Sequence, residues 1–186
     1  MGISWRDHRS DPAAWARALG VSREACELLI DAHFVDLHCD VEVPARLFGY
    51  DPAVAHGPWR RVVPFFGHTD FPRMLEAGMT GVAYDIATNV FRPEANRQRT
   101  TLSNLRRATA RIEAHPGDLA VVRSRQDYDR AVAQGRLACF LTLQGGNALA
   151  HDPAVLDGPV GVDLHRITLV HLSSSVFGGS SSPSQP

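Results

Sequence analysis

The sequence of 186 residues has no surplus of either charge: nineteen Lys and Arg stand against twenty Asp and Glu, a formal net charge of −1. Without a basic excess to displace counterions from a phosphate backbone, no nucleic-acid partner is expected. Long apolar runs are missing too. A run such as Leu137 to Leu143 is far short of the roughly 20 residues a membrane-spanning helix needs, so no membrane partner is expected. The opening residues, Met1-Gly2-Ile3-Ser4-Trp5-Arg6-Asp7-His8, carry charge where a secretory leader needs its apolar core, and Arg6 stands where an N-myristoylation signal needs a hydroxyl residue. Cysteine is scarce and odd in number. Cys26, Cys39 and Cys139 contain no Cys-x-x-Cys pair, which excludes a disulfide framework and a thiolate zinc site as expectations. These absences predict a soluble, cytoplasmic protein. What is present, 44% hydrophobic and 21% charged residues, is the composition of an ordinary globular domain.

Punctuation divides the chain. A helix is expected over 11–19, closed by Gly20, and a second from the Ser22 cap to about Asp31. Phe34 to His38 reads as a strand. Residues 44–72, rich in Pro, Gly and aromatics, read as a long loop with at most one short helix. A short helix over 70–77 stops at Gly78, and a strand follows over Met79 to Ile86. Leu102, Leu105, Ala108 and Ile112 recur at helical spacing, so 95–114 is an amphipathic helix. A brief strand (119–122), a helix capped by Ser124, a strand over 137–143, a turn helix over 153–156 and a strand over 166–170 complete the order. Residues 173–186, rich in Ser, Gly and Pro, read as a disordered tail.

Near-continuous apolar strands alternating with helices indicate parallel βα units, in either a doubly wound sheet or a β/α barrel. No Gly-x-Gly-x-x-Gly follows the first strand, which removes support for dinucleotide binding. A polar residue instead ends or follows each principal strand: His38 and Asp40, Asp85, Gln144, His171. Barrel enzymes place their chemistry at such strand ends.

His38 and Asp40 stand two apart, so in an extended segment an imidazole and a carboxylate share one side. That pair suits zinc, which takes nitrogen and oxygen ligands together; the competing reading is a hydrogen-bonded core histidine. The same spacing recurs as His68-Thr69-Asp70 in the long loop. Gln144 is followed by two glycines that let backbone turn sharply toward a ligand, although from composition alone an amide binding backbone at a helix entry is the favoured reading. His171 is open to the roles of base, ligand, substrate contact or none of these. Nothing gives Cys39 a base partner as a nucleophile, and the Arg-rich stretch 97–111 reads as a solvated helix face.

Four ordered blocks resemble the membrane (renal) dipeptidase family, zinc metallopeptidases of the amidohydrolase superfamily. They are Phe34-Val35-Asp36-Leu37-His38-Cys39-Asp40, His68-Thr69-Asp70-Phe71-Pro72-Arg73-Met74, Leu143-Gln144-Gly145-Gly146, and Ile167-Thr168-Leu169-Val170-His171. The resemblance implies an α/β fold, a TIM-type β/α barrel of the metal-dependent hydrolase kind, truncated to about four βα units, with residues 1–172 as its N-terminal half. It implies His38 and Asp40 as ligands of a first zinc and position 144 as the bridging carboxylate of a two-zinc centre. His171 would be the catalytic residue that contacts substrate and the developing oxyanion, and a dipeptide or similar small amide would be the substrate. Gln144 departs from the family's glutamate and offers no negative charge to a metal bridge. The length falls short of the ~250 residues of a complete barrel. The expectation is therefore a dipeptidase-like hydrolase impaired at both points, binding at most one zinc weakly and open to self-association. The alternatives are a non-catalytic half-barrel that binds metal or a partner, and another amidohydrolase-type ester or lactone hydrolase.

Overall fold

The computed structural model describes residues 2–56, 67–89 and 92–181. Two capped helices open it. In α1 (Pro12–Leu19) the Asp11 side chain accepts from Ala14 N–H, and Gly20 ends the helix at φ 69°; in α2 (Arg23–Asp31) Ser22 accepts from Ala25 N–H. Trp15, Ala16 and Cys26 form their own small core between the two helices.

The rest alternates: β1 (Val35–Cys39), α3 (Glu42–Phe48), α4 (Phe71–Glu76), β2 (Gly81–Ala87), α5 (Glu94–Glu113), β3 (Leu119–Val121), α6 (Arg125–Ala133), β4 (Leu137–Gln144), α7 (Pro159–Asp163) and β5 (Leu164–Thr168). The five strands among the described residues are all parallel. The four principal strands lie in the order β1-β2-β4-β5, and the short β3 shares one edge of β4 with β5, pairing residues 137–139 while β5 pairs 141–144. An ordered parallel sheet of this kind is the expected partial β/α barrel. The last strand begins two residues earlier than expected because α7 runs directly into it.

Alternation assigns the faces. Val82, Tyr84 and Ile86 of β2, with Leu137, Cys139 and Leu141 of β4, pack against Phe71, Met74 and Leu75 of α4 and Leu105, Ala108 and Ile112 of α5. Behind this layer Tyr84 Oη donates to the buried Glu42 carboxylate over 2.8 Å, with Arg111 Nε at 3.5 Å, which ties α3 and α5 to β2. Burial, and then the Glu42 charge, push the Tyr84 phenol well above its usual range.

The second face is divided. At the strands' N-terminal end Val122, just after β3, and Tyr128 and Ala131 of α6 pack on Ala138, with Val35 and Phe140 alongside. Helices covering a single, outer face are the simpler expectation. Amphipathic patterning shows that α6 buries one side, but not which side of the sheet receives it. The C-terminal end of this face carries Asp85, Thr142, Gln144 and Arg166.

The expected long loop is partly helical, holding α3 and α4, while residues 57–66 lie outside the described residues. Within 173–186, expected to be a disordered tail, Ser175 and Gly178 exchange backbone hydrogen bonds and Ser180 Oγ donates to His171 O; residues 182–186 lie outside the described residues. Among the described residues no helix is long and apolar enough to cross a membrane.

Candidate functional site

The ladder between β1 and β2 slips between Asp36 and Cys39. This turns Cys39 into the core beside Tyr84 and leaves His38 on the polar end of the second face. Side chains hold the slipped segment: Asp36 Oδ1 accepts from His38 N–H at 2.9 Å, and Arg166 Nη1 donates to Leu37 O. In a flat sheet β5 would lie about 14 Å from β1 at the usual strand spacing, beyond an arginine's reach. The sheet is therefore curled around this face, as in a barrel wall.

Three of the four predicted site residues meet here. His38 Nε2 is 3.3 Å from Asp40 Oδ2 and 3.1 Å from Gln144 Nε2. Gln144 is buried, and His38 and Asp40 are about half and one-third exposed. The double glycine after Gln144 is required by space. Gly145 sits at φ 103°, and a Cβ on Gly146 would lie 2.8 Å from Leu169 O. His171 follows β5 at the same end of the sheet, but among the described residues its ring has no hydrogen-bond or ion-pair partner, and its Nδ1 is buried without one. The structure does not join it to the cluster.

Two participants were not assigned a role from sequence. Asp85, fully buried, accepts from Thr142 Oγ1 and from Arg166 Nη2 at 2.9 and 3.1 Å, and its Oδ2 is 2.9 Å from His38 Nδ1. Its place at a strand end was a visible signal. Arg166 gave a weaker one, an arginine inside an otherwise apolar strand.

The second His-x-Asp is split between two tasks. Asp70 is buried and caps α4, accepting from Arg73 N–H (2.9 Å), Arg73 Nε (2.8 Å) and His56 N–H (2.8 Å). His68 instead lines a cleft of about 470 Å³ with Asp36, His38, Cys39, Asp40, Val41 and Thr69. Burial pushes the Cys39 thiol up to about 12, which removes it as a nucleophile near neutral pH.

The donors fit a cation in part. Zinc with bonds of about 2.0–2.2 Å sets tetrahedral ligands about 3.3–3.5 Å apart, the separation found between His38 Nε2 and Asp40 Oδ2. Asp40 Oδ1 is buried without a partner, so a carboxylate oxygen is left for such a cation. Among the described residues, however, no group of three or more His, Cys, Asp or Glu is placed to hold a metal; the third donor within reach is the neutral Gln144 amide.

The family model for membrane dipeptidases, peptidase family M19, matches residues 22–186. Dipeptidase verJ of Clonostachys rogersoniana is 25% identical over 173 residues, 88% of this chain and 44% of the relative. Among solved structures, the probable dipeptidase PvdM from Pseudomonas aeruginosa superposes with a TM-score of 0.69 at 15% identity, over 86% of this chain and 40% of that one. A metallopeptidase from Rhodobacter sphaeroides, liganded with a phosphinate mimic of the dipeptide L-Ala-D-Ala, superposes with a TM-score of 0.62 at 18% identity, over 78% of this chain and 47% of that one. The chain spans less than half the length of these relatives.

Proposed function

Because the chain belongs to the membrane dipeptidase family, we propose that its strand-end cluster serves zinc-dependent hydrolysis of a dipeptide or similar small amide. The chain would form the N-terminal half of a barrel, residues 1–172. The observation that carries the reading is the pairing of His38 Nε2 with Asp40 Oδ2 at 3.3 Å beside the unpartnered Asp40 Oδ1. His38 and Asp40 would hold the metal, with the Gln144 carbonyl as a third, weak ligand once its amide turns over. When bound, zinc supplies a polarised carbonyl and an activated water.

The chain's own residues then have distinct tasks. Asp40 supplies a carboxylate with no Arg or Lys partner among the described residues, whereas Asp85 is paired with Arg166. His171, at the same end with a free ring nitrogen, is proposed to contact the substrate carbonyl. The cleft beside His38 and His68 gives a small polar molecule access.

One observation favours a second reading, a metal-binding half-barrel without turnover. Position 144 bears an amide that donates to His38, where a charged bridge between two cations is needed. Calorimetric titration with zinc, joined to a dipeptide-hydrolysis assay, separates the readings. We expect at most one zinc per chain, bound weakly, lost in His38→Ala and strengthened at least tenfold in Gln144→Glu, with no dipeptide turnover by the 186-residue chain. Turnover that depends on zinc and disappears in His38→Ala establishes the first reading for this chain by itself. Absence of zinc binding in both the parent and Gln144→Glu removes both.

A further inference from the structure

Resting on the reading of His38 as a metal ligand, we propose that Asp85, braced by Arg166 and Thr142, is a positioning residue that sets the tautomer of His38. The backbone cannot do this. Where the β1 ladder slips, Leu37 and His38 have no register partners on β2, and side chains take over. Asp36 holds the His38 N–H, Arg166 holds the preceding carbonyl, and Asp85 holds the ring.

The ring's proton follows from its neighbours. A carboxylate only accepts and a guanidinium only donates. Asp85 Oδ2 stands 2.9 Å from His38 Nδ1, whereas Arg166 Nη2 stands 3.4 Å away and points both of its closer contacts at the same carboxylate. The shorter contact requires a proton on Nδ1. With the proton there, Nε2 keeps its lone pair, accepts from the Gln144 amide at 3.1 Å and faces Asp40 Oδ2 at 3.3 Å. Two lone pairs turned toward each other at that distance repel, and a cation between them reverses the sign. A ligating histidine whose other nitrogen donates to a carboxylate is the arrangement that fixes ring orientation and raises ligand basicity.

Asp85 is suited to this task because it cannot move. It is fully buried, and Thr142 from β4 and Arg166 from β5 occupy its remaining acceptor sites. Arg166 acts on both halves of the device, since one nitrogen holds Asp85 and the other holds Leu37 O.

The deciding readout needs neither turnover nor metal. In protein carrying ring-¹⁵N histidine at pH about 8.5, above the usual histidine range, long-range proton–nitrogen correlation should show His38 protonated at Nδ1 and bare at Nε2. In Asp85→Asn, Arg166 claims the amide oxygen and the NH₂ faces Nδ1, so the ring should switch to the Nε2–H form. Zinc affinity should then fall by about 10–100-fold. An Nε2–H or doubly protonated ring in the parent protein overturns the proposal, as does an unchanged tautomer in Asp85→Asn. Should that variant fail to fold, the parent spectrum decides alone. Absence of zinc binding in both the parent and Gln144→Glu, with an Nδ1–H ring in the parent, overturns the metal reading and leaves the positioning role standing; a parent that binds zinc through His38 with the opposite tautomer does the reverse.

Discussion

Cys39 lies between the two ligand-type residues yet faces away from them, into the core, 5% exposed. Burial disfavours its thiolate and raises the thiol from an ordinary 9.0 to about 12. Cys139, fully buried on the neighbouring part of the same core, is raised in the same direction by burial first. An acid raised on folding keeps its proton in the native state while the unfolded chain has already lost its own. Stability from this source is therefore complete below pH 9 and is lost as pH climbs toward 12, by at most about 1.4 kcal/mol per pH unit for each thiol. Urea midpoints measured in reductant at pH 8 and 10.5 should fall in the parent and fall less in Cys39→Ala; equal falls would show that the Cys39 thiol is not the source. Residue types at this end of the sheet were legible in sequence, because His38, Asp40, Asp85 and Gln144 stand at strand ends. The roles of Asp85 and Arg166 were not. Arg166 reaches its partners across intervening strands, and only the curl of the sheet makes that reach possible.

At the level of elements, the turn after β4 is set by two glycines with no room for side chains. Gly146→Ala would place a methyl 2.8 Å from Leu169 O and 3.2 Å from Leu169 Cα, both backbone atoms that cannot swing aside. We expect a loss of about 1–3 kcal/mol by chemical denaturation, whereas Gly117→Ala, with nothing within 4 Å, should stay within about 0.5 kcal/mol. A Gly146→Ala chain as stable as its parent would mean that β5 shifts freely away from β4. The same elements show where sequence reasoning ends. Apolar runs and caps located β1, β2, β4, α1, α2, α5 and α6 to within a residue or two, because burial on both faces and side-chain caps are local signals. The helix α3 is a short helix of the kind the long loop could hold, but its place inside a stretch dense in Pro and Gly was concealed by composition. It is held by a tertiary contact, Glu42 to Tyr84, which no local window contains.

At the scale of the whole molecule, the described sheet ends in two unpaired edges, β1 on one side and β5 with the short β3 on the other. Apolar side chains lie near both, Leu37 at 69% and Leu169 at 54% exposure. Unpaired parallel edges with exposed leucines are templates for pairing with another chain. Sedimentation velocity on the 186-residue chain should show association that rises with concentration and weakens in Leu37→Lys; a single monomeric species over a hundredfold range would contradict this. The bond between Arg166 and Leu37 O joins residues 129 apart, and it bears on timing as well as shape. Closing a loop of that length is a non-local event, slow relative to the helices and neighbouring strands around it. During synthesis from the N-terminus, His38 emerges and β1 can pair with β2 long before the arginine that steadies them exists. Until β5 arrives, the proposed ligand pair is present in the chain but not yet aimed, and on that reading a growing chain would be a poor trap for stray metal.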